Sequence, residues 1–160
     1  MSTKRFDDMF REGPSPFDVR VFSMTNTGLI IFVLDNGLLK LPGGRSKPYE
    51  TDAIAARREY VEEAYNEETA GTPSLDDFLK YSSEDRETHE RVCFLFARAP
   101  DTRELRTEGD EGERVVLIHP EALWLEPPSR FHQKHLELAK EMYLFVKQML
   151  ENPEPAEPAS

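Results

Sequence analysis

Residues 44–65 read Gly44-Arg45-Ser46-Lys47-Pro48-Tyr49-Glu50-Thr51-Asp52-Ala53-Ile54-Ala55-Ala56-Arg57-Arg58-Glu59-Tyr60-Val61-Glu62-Glu63-Ala64-Tyr65. Thr51 and Asp52 are good N-cap types, so a helix is expected from about 51 to 65. On it Glu59, Glu62 and Glu63 stand at i, i+3 and i+4, which puts three carboxylates within roughly 100° of arc. Ala53, Ala56, Tyr60 and Ala64 group about a quarter turn away, a face suited to packing on a sheet. Like charges on neighbouring turns repel. Hard cations such as Mg²⁺ relieve that repulsion, because they prefer carboxylate oxygens. The plain alternative is a solvated acidic face; the Gly-Gly loop ahead of the helix and the spacing argue for a site.

Upstream, Val19 to Met24, Leu29 to Leu34 and Leu38 to Leu41 read as strands, parted by Asn26-Thr27-Gly28 and Asp35-Asn36-Gly37. They suggest a meander that ends in Pro42-Gly43-Gly44. Downstream, Leu79 to Ser82, Arg91 to Ala97 and Arg114 to Ile118 read as further strands. A last helix is expected over about 131–150, with Phe131, His135, Leu138, Met142, Val146 and Met149 on one stripe. Strands, a helix, strands and a helix predict an α/β sandwich with a mixed sheet. Residues 1–17 read as a lead-in, 18–150 as one domain, and the acidic, Pro-rich 151–160 as a disordered tail.

The chain has 160 residues, the size of one ordinary domain. Its net charge of −11 argues against wrapping duplex nucleic acid. Small phosphorylated ligands remain open, through divalent cations. The longest apolar run is too short to span a bilayer, and no secretory leader is recognisable. The single cysteine, Cys93, excludes an internal disulfide and reads as a core residue. A cytoplasmic setting is the default. His89, His119, His132 and His135 show no metal-ligand spacing, and His132 and His135 are expected at the surface or as caps.

The spacing over 44–65 resembles the Nudix hydrolase signature, G-x5-E-x7-R-E-U-x-E-E-x-G-U, where U is a bulky apolar residue. Six of its seven fixed positions match: Gly44, Glu50, Arg58, Glu59, Glu62 and Glu63. A chance match is on the order of 1 in 10⁴ for this composition. Tyr65 replaces the motif Gly and Asn66 its last apolar position; Asn66 tolerates a left-handed turn, so the helix is expected to end one residue later. The resemblance implies a Nudix-type α/β/α sandwich with a mixed β-sheet. It also implies that Glu59, Glu62 and Glu63, with a backbone carbonyl of Gly43 or Gly44, hold Mg²⁺ or Mn²⁺.

Glu111, with Glu113 second, matches the later-loop acid that many Nudix enzymes use as an extra ligand or base; the plain alternative is a solvated loop. Glu59 or that later acid would activate water. Arg58 is expected to pair with Glu50 and is a candidate to touch phosphate. Arg45 and Lys47, in the loop before the helix, are candidates to grip a phosphate. The function implied is hydrolysis of a diphosphate bond in a nucleoside diphosphate linked to another moiety, with a homodimer allowed. A diphosphoinositol or dinucleoside polyphosphate hydrolase, faintly suggested by Pro48 and the Glu63-Ala64 pair, is the alternative among enzymes. A non-catalytic nucleotide-binding module of the same fold is the alternative of another class.

Overall fold

The computed structural model describes residues 17–86 and 89–151. The expected lead-in and tail lie outside these residues, except that Phe17 opens a strand and Glu151 closes a helix. The strands are β1 (Phe17–Phe22), β2 (Ile30–Asp35), β3 (Leu38–Lys40), β4 (Gly43–Arg45), β5 (Phe78–Arg86), β6 (His89–Phe96) and β7 (Arg114–Ile118). The helices are α1 (Asp52–Glu63), α2 (Glu67–Ala70), α3 (Ala122–Leu125) and α4 (Gln133–Glu151).

The strands form two sheets, ordered β4-β1-β6-β5 and β3-β2-β7. β1 runs parallel to β6 and antiparallel to β4, and the remaining pairs are antiparallel. The first three strands are therefore not a meander. β2 and β3 form the expected hairpin, but both edges of β1 are taken by β4 and β6. Thr25 turns the chain out of β1: its Oγ1 accepts from the backbone N–H of Leu29 at 3.1 Å and its own N–H bonds Leu29 O at 2.8 Å. Just past β1 the chain bridges β2 at Met24–Ile30, and the N–H of Ile31 donates to Ser23 O at 3.1 Å.

Two cores flank this layer. α1 buries Ala55, Ala56 and Tyr60, with Ala64 and Tyr65, against Val19, Val21, Ile31, Val92 and the Phe78–Phe96 pair. The small Ala side chains let the helix approach the sheet closely. α4 buries Leu136, Ala139 and Met142 against Phe22, Ile30, Phe32, Leu41 and Cys93. The result is the α/β/α sandwich the sequence predicts.

α4 starts two residues later than expected. Phe131 precedes it, bridged to Leu39 and packed edge-on to Phe32 at 5.5 Å. His135 is not a surface residue: it is 3% exposed, and its Nδ1 accepts from the N–H of Leu41 at 3.2 Å. Burial pushes its imidazole down to about 2, so it stays neutral and holds the β3–β4 link to α4. Nor does α1 run past Tyr65. It ends at Glu63, and Asn66 is extended rather than left-handed. Asn66 instead caps α2, its Oδ1 accepting from the N–H of Glu68 and Thr69. Tyr65 takes the motif Gly position as a buried aromatic, stacked on Tyr60 at 5.7 Å and bridged to Leu105.

Candidate active site

The site is built where α1 meets β4. Thr51 starts the helix, its Oγ1 accepting from the N–H of Ile54 at 3.2 Å. The Ala and Tyr face then packs on the sheet, which turns Glu59, Glu62 and Glu63 toward the Gly43–Gly44 edge. Gly43 is required there by fixed backbone, and Gly44 leaves room for the Glu59 carboxylate. Gly43 has φ +152°, and a Cβ on it would lie 1.9 Å from the carbonyl oxygen of Val19. A Cβ on Gly44 would lie 2.7 Å from Glu59 Oε1. With no side chains in the way, the N–H of Gly43 donates to Glu63 Oε1 at 3.0 Å.

Arg58 ties the entry loop to this face. Its Nε and Nη2 donate to the two Glu50 oxygens at 2.6 and 2.9 Å, and Nη2 also reaches Arg45 O at 3.2 Å. Nη1 lies 3.1 Å from Glu59 Oε1 and 3.3 Å from Glu62 Oε1. The expected Arg58–Glu50 pair is thus present, and the same guanidinium also spans two of the three helix carboxylates. The Arg58 hydrogen bond holds the Glu50 carboxyl below its ordinary value. Glu59 goes the other way: burial raises it, and Arg58 opposes that only in part. Burial pushes Glu63 up to about 8, offset in part by the Gly43 N–H and reinforced by the charges of Glu59 and Glu113. Tyr49 completes the entry loop with a positive φ of 77°, a rare backbone state for an aromatic residue.

The loop before β7 closes the other side. The N–H of Asp110 bonds Glu62 O at 2.9 Å, while Arg106 Nη1 donates to the carbonyls of Val61 and Glu62 and Nη2 pairs with Asp110 at 2.6 Å. These contacts satisfy carbonyls at the end of α1. Of the two loop acids, Glu111 is exposed at the rim, whereas Glu113 is 8% exposed and its charge reaches Glu63. Gly109 makes room for it, since a Cβ there would lie 2.2 Å from Glu113 Oε1. Glu111 still contributes, because its N–H donates to Glu113 Oε1 at 3.2 Å.

A cleft of about 540 Å³ brings Gly43, Gly44, Arg45, Lys47, Arg58, Glu59, Glu62, Glu63, Glu111 and Glu113 together. These are the residues the sequence offers as ligand, base or phosphate-contact candidates; Glu50, which holds Arg58, is not in the lining. Asp35 and Asp110 line it too, and Arg106 buttresses it; sequence reading missed all three. Arg106 and Asp110 lie four apart in a loop with no periodicity, so only the fold reveals them.

A NUDIX domain family model matches residues 17–142, most of the chain. The chain belongs to the Nudix hydrolase family. No curated protein sequence matches it. Among solved structures it is similar to a MutT protein, from work on Aliivibrio salmonicida and Vibrio cholerae, with 17% identity, TM-score 0.62, and 81% of this chain and 98% of that chain covered. The NUDIX domain of Shewanella oneidensis NrtR, complexed with ADP ribose, is similar at 14% identity and TM-score 0.60, covering 91% and 99%. A hydrolase of ADP compounds is similar at 18% identity and TM-score 0.59, covering 87% and 75%. At these identities the likeness speaks for the Nudix fold.

Among the described residues, no three carboxylate, imidazole or thiol groups form a ready-made metal cage. The chemistry of the donor set nevertheless fits a hard divalent cation. It offers oxygens only, and Glu63 is a part-buried carboxyl with the acidic Glu59 and Glu113 beside it.

Proposed function

We propose that this Nudix chain is a divalent-metal-dependent hydrolase that cleaves the diphosphate bond of a nucleoside diphosphate linked to another moiety. The observation that carries the reading is the docking of Glu59, Glu62 and Glu63 on the Gly43–Gly44 edge, with Glu63 bonded to the Gly43 N–H. The MutT, ADP-compound and ADP-ribose neighbours agree with it. Glu59, Glu62, Glu63 and a loop acid (Glu113 by its burial, Glu111 at the rim) would hold Mg²⁺ or Mn²⁺ with a carbonyl of Gly43 or Gly44. When bound, such a cation lowers the pKa of its water and neutralises charge on the diphosphate.

The chain's own residues supply the rest. Arg58 fixes the entry loop through Glu50 and offsets in part the burial that raises the Glu59 carboxyl. Arg45 and Lys47, at the cleft mouth, offer cationic contacts to the outer phosphate oxygens. Glu59 is the candidate base, since its half-buried carboxylate binds a proton more readily than a surface one. The setting we propose is cytoplasmic; no described helix is long and apolar enough to cross a membrane.

Separating the phosphorylated products formed from ADP-ribose, nucleotide sugars, dinucleoside polyphosphates, diphosphoinositols and nucleoside triphosphates, with Mg²⁺, Mn²⁺ or chelator, tests the reading; a nucleoside diphosphate conjugate should give a nucleoside monophosphate and the other phosphorylated half. Turnover that requires the cation and is highest on the nucleoside diphosphate conjugates is the expected result. Preference for dinucleoside polyphosphates or diphosphoinositols shifts the assignment to that branch. Tight binding of the same compounds without turnover makes the chain a nucleotide-binding module.

A further inference from the structure

The flank of α1 that carries Arg57 and Val61 borders a second space. This cavity of about 740 Å³ lies between α1, α2 and the loop before β7. It shares Arg58, Glu62 and Asp110 with the acidic cleft, and no other residue of that cleft lines it. Its size falls in the range of about 300–1,000 Å³ usual for small-molecule sites. The shared residues decide which part of a substrate would reach it. A diphosphate held at Glu59, Glu62 and Glu63 places one of its two substituents past Glu62, where the cavity opens.

The wall of the cavity selects among substituents. It carries three arginines against five carboxylates, those of Glu62, Glu67, Glu68, Glu108 and Asp110. Two of the arginines are already committed. Arg58 serves Glu50, Glu59 and Glu62, and Arg106 serves Asp110 and the carbonyls of Val61, Glu62 and Glu108. A further phosphate would therefore meet a surplus of negative charge. A nucleobase would find no open ring to stack on, since Tyr65, the aromatic residue of the lining, is 1% exposed. The groups left over are polar and mixed. Arg57 makes one long bond among the described residues, Nη1 to Pro73 O at 3.4 Å, and keeps its other donors for a ligand. Asn66 spends its Oδ1 on the start of α2, which leaves its amide N–H groups. Glu68 and Glu108 are exposed carboxylates and accept. A hydroxyl both donates and accepts, so a group bearing several of them matches this set.

We propose, resting on the hydrolase reading of the acidic cleft, that this cavity is the subsite for the moiety beyond the diphosphate and that the moiety is a neutral, hydroxyl-rich sugar. Such a subsite selects nucleotide sugars over compounds whose second half is another nucleoside or carries more phosphate.

The test is calorimetric binding of two compounds to the full chain with Mg²⁺. One is α,β-methylene-ADP-ribose, whose P–CH₂–P bridge does not hydrolyse. The other is the β-methyl ester of α,β-methylene-ADP, which has the same charge and no sugar. Wild type is expected to bind the ribose compound about tenfold more tightly or better. Glu68→Ala/Glu108→Ala, which changes two exposed side chains outside the acidic cleft, is expected to lose most of that preference. Equal wild-type affinity for the two compounds, or a full preference in the double variant, overturns the proposal. The hydrolase reading fails separately. A ribose preference that depends on Glu68 and Glu108, in a chain with no cation-dependent turnover of any conjugate, sinks that reading and leaves the sugar subsite standing.

Discussion

The two helices that sandwich the sheets are held by opposite means. α4 packs with Leu136, Ala139 and Met142, and its one buried polar side chain, His135, is kept neutral and spent on the Leu41 N–H. α1 packs with Ala55, Ala56 and a ring cluster, in which Tyr60 lies 4.8 Å from Phe96, while its rim carries carboxylates displaced from their ordinary pKa. One helix spends its burial on stability. The other uses small residues to come close, so that charges on its flank are held against a bare backbone. Like-charge repulsion is tolerated on α1 because the aromatic cluster beneath fixes the helix.

The sharpest way to break this division is to cut one side and read both properties. Leu136→Ala should destabilise the fold by about 2–5 kcal/mol, the usual cost of emptying a buried leucine site. Denaturant unfolding measures it. Turnover per folded molecule should stay near wild type, since nothing on α4 lines the acidic cleft. A comparable loss of turnover would mean that the two sides are coupled.

The complementary cut is Glu63→Gln, which keeps the shape and removes the charge. Steady-state hydrolysis of the best conjugate should fall on the order of 100-fold, about 2.7 kcal/mol of barrier. Melting should change little or rise in chelator, because a part-buried carboxyl with acidic neighbours is replaced by a neutral amide. Arg58→Lys is milder. Lysine keeps the charge but cannot form the two-pronged bond to Glu50. A loss of about tenfold in turnover is expected, with partial retention of the Glu50 contact. Wild-type rates for Arg58→Lys would show that the charge alone matters.

How far this contrast was legible follows from which signals are local. The carboxylate face and the Thr51 start follow from helix periodicity and capping, the Arg58–Glu50 pair from the resemblance to the Nudix signature, and the structure shows them as read. The burial of His135 was not legible, because its partner, the Leu41 N–H, is 94 residues away in sequence. The preference for Glu113 over Glu111 at the buried position was missed for a related reason. Their order in the loop is fixed by Gly109 and by contacts to the end of α1 that no spacing rule contains. The separation of β1 from the β2–β3 hairpin depends on β4 and β6 occupying its edges, which is topology rather than propensity. Tyr65 in place of the motif glycine needed the ring cluster to be understood: a side chain that fits the core compensates for the turn that glycine would make.

The smallest effect is the most diagnostic, because only one of the two helices should show it. Burial sets the folded Glu63 carboxyl near 8, well above an unfolded glutamate. Between those values the folded chain keeps a proton that the unfolded chain has lost, so metal-free stability falls as pH rises across that interval. Glu50 contributes in the other direction and elsewhere. Its folded value is lowered, so its stabilisation is present above the ordinary glutamate range and is lost as pH falls through the folded value. A divalent cation competes with the Glu63 proton and binds more tightly as that proton leaves. The rise in melting temperature on adding millimolar Mg²⁺ should therefore be larger at pH 8.5 than at pH 6, by a few degrees. Glu59→Gln/Glu62→Gln/Glu63→Gln should give no such rise at either pH, whereas Leu136→Ala should keep it in full on a lower baseline. Melting curves at the two pH values, with Mg²⁺ and with chelator, decide the matter. If the triple variant responds as wild type does, the cation binds away from α1 and its acidic flank is only a solvated surface.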